Sequence, residues 1–585
     1  MACWPNRCPL RRKILWRRFQ PGSSKRRWPE ARQGRYYAGV KGSKPFDYII
    51  VGAGSAGCAV AARLCEDASC RVLLLEQGPP NSSWTVRIPG ALRENFKPNR
   101  PYMRWYPTVP QHHLDGRIIN HPRGIGLGGS SLVNGMVFLR GNPRDYDRWE
   151  SEGAKGWSYA EVLPYFKRME HRAEGADAYR GGDGPVGVRR QEQLHVLNEA
   201  FLKAGRQAGY PFTEDVNGQE QEGFCRFDMN ADRGYRSSSY YAFVERRPRK
   251  LNLEVLSRVT VLRVLFEGHH ATGVEFEQEG QRLQARADRE VILSAGAVGS
   301  PQLLLLSGVG PADELRRLGI EPVQDLPGVG ANLHDHLELD LQWACEQPIT
   351  INGLLRPHKI AAIGLEWLLF RTGFAAGNQC HVGAFLRSSP GVAHPNIQLH
   401  FFPMCFDGWT PRRDQHGFRI SAGPMRQTSR GTLKLRSADP RDLPILDPNY
   451  LATDHDRWEI RESFAIIQDV VSQKAFDPYR GAPLEPAVLP DSVEEIDVLC
   501  RRLAATSFHL CGTCKMGSAG DPMAVVDPET RVRGLEGLRV ADASIMPSIV
   551  SSNLNAPSMM IGERAAGLIG GKALQGAPAR DAAGR

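Results

Sequence analysis

No stretch of this 585-residue chain approaches the ~20 consecutive apolar residues that a membrane-spanning helix needs. The nearest run, Ile360 to Phe370, is too short and is interrupted by Glu366. Any contact with a membrane is therefore expected to be peripheral. The twelve Cys follow no repeating spacing, and no second Cys or His pair joins Cys511-x-x-Cys514 at zinc-ligand distance. The cysteines are expected to be reduced, and no metal site is expected. Internal repeats and low-complexity segments are absent as well.

Acidic residues are nearly missing from one end. Residues 1–44 carry nine Arg and four Lys against a single acid, Glu30. The formal net charge of +10 therefore belongs to this leader, and the remaining chain sums to −2. A basic surface for nucleic acid is not expected of the folded part. Arg-rich, acid-poor and interrupted by Leu10, Ile14, Leu15, Trp16 and Phe19, residues 1–38 have the composition of a mitochondrial transit peptide or a disordered basic leader. Arg35-Tyr36-Tyr37-Ala38 reads as a processing site.

What is present is an ordinary globular composition, 41% hydrophobic and 24% charged, in a chain long enough for several domains or one large fold. Phe46 to Val51 is short, apolar and β-branched, as a buried parallel strand is. Gly52-Ala53-Gly54-Ser55-Ala56-Gly57 follows at once, then a helix expected from Cys58 to Cys65 and a second strand from Arg71 to Leu75. Gly52 makes the tight turn, Gly54 admits backbone close to a pyrophosphate, and Gly57 lets helix and strand pack. Phosphates would sit at the positive end of the helix. Glu76, nineteen residues after Gly57, is placed to accept hydrogen bonds from ribose hydroxyls. The loop marks a bound dinucleotide without choosing between FAD and NAD.

Two further blocks make that choice. Arg123-Gly124-Ile125-Gly126-Leu127-Gly128-Gly129-Ser130-Ser131-Leu132-Val133-Asn134-Gly135-Met136 and the fifteen residues Gly296 to Gly310 resemble the two signatures of the glucose–methanol–choline oxidoreductase family. Ile125 stands where that family usually has a polar or basic residue. The resemblance runs from about Asp47 to Ala566 and is strongest to the mitochondrial choline-oxidising branch. It implies an α/β fold, α+β overall, with a Rossmann-type FAD-binding domain and an inserted antiparallel-sheet substrate domain. In these terms 46–336 is an FAD-binding region with part of the substrate cap near 150–250. Residues 337–500 form the substrate domain, 501–572 return to the FAD domain with catalytic residues, and 573–585 form a flexible tail. The resemblance further implies that Gly129 and the loop Asn134, Gly135, Met136 and Val137 lie against the flavin. Val261 would meet the adenine, and Asp542 the pyrophosphate or ribityl chain. In one branch the residue before Asn134 is a His linked covalently to the flavin. Here it is Val133, with no nucleophile, so FAD is expected to be held non-covalently.

Oxidising an alcohol with a flavin requires a base for the hydroxyl proton, and histidine is suited to that role. Among sixteen His, His509 lies in Ser507-Phe508-His509-Leu510-Cys511-Gly512-Thr513-Cys514-Lys515-Met516-Gly517, which resembles the family's catalytic-His block. Phe508 and Leu510 replace its usual Tyr and Pro. Asn553 aligns with the second active-site position and would hydrogen-bond the substrate oxygen, with Asn555 as the other assignment and a helix cap as its plainer role. Glu338 aligns with the carboxylate that faces a trimethylammonium group. Trp105, Trp367 and Phe508 are candidate aromatics for the same cation. The expected reaction is oxidation of choline to betaine aldehyde, with electrons passing to a membrane quinone or another acceptor at the matrix side of the inner mitochondrial membrane. The alternatives are oxidation of another alcohol or sugar and, more remotely, the family's light-driven fatty-acid decarboxylation. The retained His509 and the absence of Cys around Gly423-Pro424-Met425-Arg426 argue against the decarboxylase.

Overall fold

Phe46–Val51 is covered on both faces, with Ile49 and Ile50 fully buried, which is why its sequence is apolar at nearly every position. It is the centre of an eight-stranded sheet in the computed structural model. The structure describes residues 45–97, 99–246 and 252–576, together with the backbone of Arg35–Tyr36. The rest of the expected leader, and residues 577–585 of the expected tail, lie outside the described residues.

Along the sheet, Leu253–Leu256, Val72–Leu75, Phe46–Val51 and the distal end of Gln281–Leu293 run parallel. Gln281–Leu293 is long enough for two jobs. Its first half pairs antiparallel with His270–Gln278, which pairs in turn with Val259–Glu267. Its second half also receives Leu538–Val540. The dinucleotide sheet is thus assembled from segments nearly 500 residues apart, and its last strand brings the C-terminal part of the chain back beside the glycine loop.

The helix after that loop runs from Ser55 to Leu64, three residues earlier than expected. Gly54 is still extended, and helical geometry begins inside the glycine motif itself. This helix packs on Asn555–Ile569, where a Cβ at Gly562 would lie 2.4 Å from the Ala56 carbonyl. Small residues on both helices let the two backbones approach.

A second, seven-stranded sheet is antiparallel in the order Arg480–Glu485, Leu337–Cys345, Gly417–Pro424, Ile397–Phe402, Val382–Leu386 and Gly223–Arg226, with Ala505–Thr506 pairing at the start of Leu337–Cys345. Its outer face carries a separate apolar core against the helices Val196–Gln207, Asp454–Ser472 and Val493–Leu503. Its other face looks toward the dinucleotide sheet, and the candidate site lies between them. Among the described residues, no helix is long and apolar enough to cross a membrane.

Candidate active site

Two adjoining cavities, of about 210 and 290 Å³, share Ser55, Arg123, Gly124, Ser130, Ala543 and Ser558. The smaller lies at the N-terminus of Ser55–Leu64 and is lined by Gly52, Gly54, Ala56, Glu76, Gly129, Val261 and Asp542. Its walls approach backbone to backbone. A Cβ at Gly52 would sit 2.5 Å from the Ser294 carbonyl, one at Gly57 2.0 Å from the Gly52 carbonyl, and one at Gly129 2.7 Å from Gly54 Cα. Gly52 also has φ +103°, a conformation that favours glycine.

Glu76 has a different first task from the one expected. Its carboxylate accepts from the backbone N–H groups of Ala53 (3.0 Å), Gly78 (2.8 Å) and Gly126 (2.9 Å). It therefore ties the glycine loop to the Arg123–Met136 block, while Oε2 keeps a free lone pair at the cavity wall. Burial raises its pKa, opposed by these three bonds. Asp542 is engaged in the same way, accepting from Gly296 N (2.8 Å), Ser544 N (2.8 Å) and Ser300 Oγ (2.5 Å). Both carboxylates shape the cradle as much as they line it.

The larger cavity begins at Asn134, Gly135, Met136 and Val137 and ends at His509 and Asn553, with Val133 on its wall. Asn134 is fixed by Arg236, whose Nη1 donates to its carbonyl (2.7 Å) and its side-chain oxygen (2.8 Å). The paired cavities suit an elongated FAD. Its phosphates would lie at the helix N-terminus, and its ring system would lie along Asn134–Val137.

His509 sits in a hydrogen-bonded chain whose direction can be worked out. A carbonyl only accepts, so His336 Nε2, 3.0 Å from Met425 O, carries a proton. Burial pushes the His336 pKa down to about 4, so the ring is neutral and its Nδ1 is an acceptor. His509 Nδ1, 2.9 Å away, must then be the donor. That leaves the lone pair of His509 Nε2 facing Asn553 Nδ2 at 3.3 Å in the cavity. Asn553 Oδ1 accepts from Gln398 Nε2 at 3.2 Å, and Gln398 Nε2 also lies 3.1 Å from His400 Nε2. His400 Nδ1 is 3.7 Å from Glu338 Oε2. The chain thus runs from Met425 to Glu338 across the cavity.

Burial, reinforced by the neighbouring His336, His400 and Arg123, holds the His509 pKa well below the ordinary 6.5. Its backbone N–H donates to Asp335 Oδ1 at 2.6 Å, and Tyr450 and Thr506 hydroxyls occupy the other oxygen of that carboxylate. Burial raises Asp335 to about 6 against those bonds. Phe508, just before His509, has φ +68°, and Arg123 Nη1 holds its carbonyl at 2.6 Å. A non-glycine residue in that region is strained, and such strain concentrates at functional sites.

Asn555 lines the same cavity but turns its side chain to the glycine-loop helix. It opens the helix Asn555–Ile569 as its first residue and accepts from Ser55 Oγ at 2.8 Å, so it neither caps that helix nor reaches His509. Cys511 and Cys514 are buried and unpaired, and burial raises both thiols. Among the described residues no cluster of three His, Cys, Asp or Glu is arranged to hold a metal.

Glu338, the second residue of Leu337–Cys345, faces the cavity rather than solvent. Burial would raise its pKa, but His400, Arg419 and Ser507 bring it below the ordinary value. The aromatic wall differs from expectation. Phe508 lines the cavity together with Phe96, Phe402 and Trp409, and the Trp409 and Phe508 rings are 4.9 Å apart. Trp105 stands behind them, edge-on to Phe96 at 6.1 Å and outside the cavity lining. Trp367 is buried elsewhere, its indole N–H donating to Gly234 O at 2.7 Å. Trp409, Phe96 and His400 come from segments with no motif of their own. His336 was visible only as a neighbour of Asp335 in sequence.

A dinucleotide sheet with a glycine cradle, joined to an antiparallel sheet across a His–Asn cavity, defines a flavoprotein oxidoreductase. The chain matches the profile of the GMC oxidoreductase family over residues 46–338 and again over 427–562. It is 49% identical to the mitochondrial choline dehydrogenase of Mus musculus, over 91% of this chain and 90% of that protein. It is 45% identical to an oxygen-dependent choline dehydrogenase of Brucella anthropi, over 90% and 96%. Among solved structures, pyridoxine 4-oxidase from Mesorbium loti superposes with a TM-score of 0.80 at 30% identity, covering 89% of this chain and 98% of that one. The chain belongs to the GMC oxidoreductase family and is an FAD-dependent oxidoreductase.

Proposed function

We propose that the protein oxidises choline to betaine aldehyde, with FAD held non-covalently. The observation that carries the chemistry is the hydrogen-bonded sequence Met425–His336–His509, which leaves His509 Nε2 as an acceptor in the cavity beside Asn553. FAD, when bound, supplies the acceptor for the hydride of the carbinol carbon. The rest falls to side chains of this chain. His509 Nε2 takes the hydroxyl proton. Asn553 Nδ2 donates to the substrate oxygen and cannot compete as a base. Glu338 and the rings of Phe402, Trp409 and Phe508 meet the trimethylammonium group, which has no hydrogen to donate. Val133 offers no nucleophile for a covalent link. The two choline dehydrogenases at 45–49% identity support this substrate.

A second reading has its own observation. Arg93 and Arg419 line the same cavity. Asp340 neutralises Arg419 at 3.1 Å, but Arg93 has no carboxylate within ion-pair distance among the described residues, and burial together with Arg419 lowers it to about 9. A second cation beside the cage favours a neutral alcohol. The deciding experiment is anaerobic mixing with choline and with its uncharged carbon isostere. Preferential flavin bleaching by choline is expected. Equal bleaching by both would favour the neutral substrate. Reoxidation by a quinone analogue faster than by oxygen is expected of a dehydrogenase of the mitochondrial inner membrane.

A further inference from the structure

The helix Pro357–Phe370 is attached to the molecule by one buried side chain. Trp367 is its only buried residue, held by Gly234 O and packed edge-on against Tyr235 at 5.3 Å. Around that anchor stand Ile360 at 46% exposure, Leu365 at 56%, Leu368 at 60%, Leu369 at 61% and Phe370 at 68%. Isolated exposed apolar residues are ordinary, whereas five on one short helix form a patch that needs a cover.

Two candidate covers can be weighed. A 14-residue helix is about 21 Å long and roughly 10 Å across, so two copies laid face to face would hide on the order of 400 Å², far below the ~1,600 Å² of a stable interface. The flanking charge favours a lipid surface instead. Arg356, His358 and Lys359 stand exposed at the first turn and Arg371 follows the last, in a chain whose residues after 44 sum to −2. Neither Arg356 nor Lys359 forms an ion pair among the described residues. The helix's single acid, Glu366, folds back toward Gly373, where an added Cβ would lie 2.2 Å from its carboxyl carbon. The helix is too short to cross a bilayer, but with its bases at the first turn and its exposed apolar residues concentrated at the other end it suits an oblique seat, apolar end in the lipid and bases at headgroup level.

We infer that Pro357–Phe370 is a bilayer-docking helix that inserts its Leu365–Phe370 end into an anionic lipid surface. Ile351, Leu355, Phe374 and Gln379, on either side of the helix in sequence, line the His509 cavity. Docking would therefore bring the cavity wall toward the lipid surface. This surface is independent of which alcohol is oxidised, so it can fail without touching the reading above, and that reading can fail without touching it.

The test uses the full-length FAD-loaded protein and equimolar phosphatidylcholine–phosphatidylglycerol vesicles. Flotation of the wild type is compared with a Leu368→Glu/Leu369→Glu/Phe370→Glu variant, alongside alcohol-dependent reduction of a water-soluble dye. The variant should lose roughly tenfold or more of its vesicle partitioning while dye reduction is unchanged. Because the basic leader is common to both proteins and can itself hold anionic lipid, amide hydrogen exchange over 357–370 of the wild type gives a local readout. Exchange there should slow when vesicles are added. Equal flotation of both proteins with unchanged exchange over 357–370 would overturn the inference. So would exchange that slows with protein concentration in the absence of lipid, which would assign the helix to a second copy of the chain.

Discussion

The two adjoining cavities are built from different materials. The glycine-loop cavity is made of backbone: its walls meet where a single Cβ would clash, and Glu76 and Asp542 accept from main-chain N–H groups. The His509 cavity is made of side chains contributed by distant segments, and its working part is a chain of hydrogen bonds from Met425 to His400, with Glu338 3.7 Å beyond. Backbone walls hold a cofactor through shape and phosphate-binding amides. Side-chain walls hold protons in chosen places. A substitution should therefore damage one function and spare the other, depending on the cavity it enters.

The largest effect expected is a separation of those functions. His509→Ala removes the proton acceptor without touching the cradle, so it should retain FAD and lose about 10³-fold in the rate of flavin reduction by choline in stopped flow. Gly57→Ala should do the reverse. Its new Cβ would meet the Gly52 carbonyl at 2.0 Å, so purified protein should carry markedly less FAD by its absorbance ratio. Rapid bleaching in the His509 variant, or full flavin in the Gly57 variant, would dissolve the distinction between the cavities.

A smaller effect concerns pH. His509 acts as a base only when neutral, and burial, with His336, His400 and Arg123 close by, holds its pKa below 6.5. Activity should then persist as pH falls through 6.5 and decline only below it, about tenfold per unit. A pH profile of kcat/KM for choline whose acidic limb lies above 6.5 would show that the imidazole is more exposed to solvent than this cavity allows.

The same contrast explains what was legible in the sequence. A backbone cradle needs consecutive glycines at fixed spacing, so Gly52–Gly57, the Arg123–Met136 block and the strands beside them could be read directly. Even there, helical geometry began at Ser55 rather than Cys58, because a phosphate-binding turn and a helix start share residues. His509 and Asn553 were readable because each lies in a long distinctive block. The cage was not. Trp409 lies in the turn between the two-residue strands Phe406–Asp407 and Thr410–Pro411, and Phe96 ends a 3₁₀ segment. Neither position has periodicity or spacing that marks it, so Trp105 was a natural but misplaced choice. Glu76 was found by position, yet its partners come from three separated stretches, which only the folded chain brings together.

Within the side-chain cavity, Glu338 should matter for charge and little else. Glu338→Gln keeps the shape and removes the carboxylate, so preference for choline over its carbon isostere should fall about tenfold, the equivalent of ~1.4 kcal/mol. Equal losses on both alcohols would mean that Glu338 supports His400 and does not meet the substrate.

The smallest effect tests the placement of the aromatic wall. Trp409 lines the cavity and Trp105 stands one ring behind it, supporting Phe96. Trp409 is half-buried, and a cation–π contact that stays partly solvated contributes about 1 kcal/mol, so Trp409→Leu should raise the KM for choline roughly fivefold with kcat little changed. Trp105→Leu acts through packing alone and should move choline and its isostere by the same small factor. If the two variants exchanged these behaviours, the trimethylammonium group would lie on the Trp105 side of Phe96, and the cage would have to be drawn one layer further from Glu338.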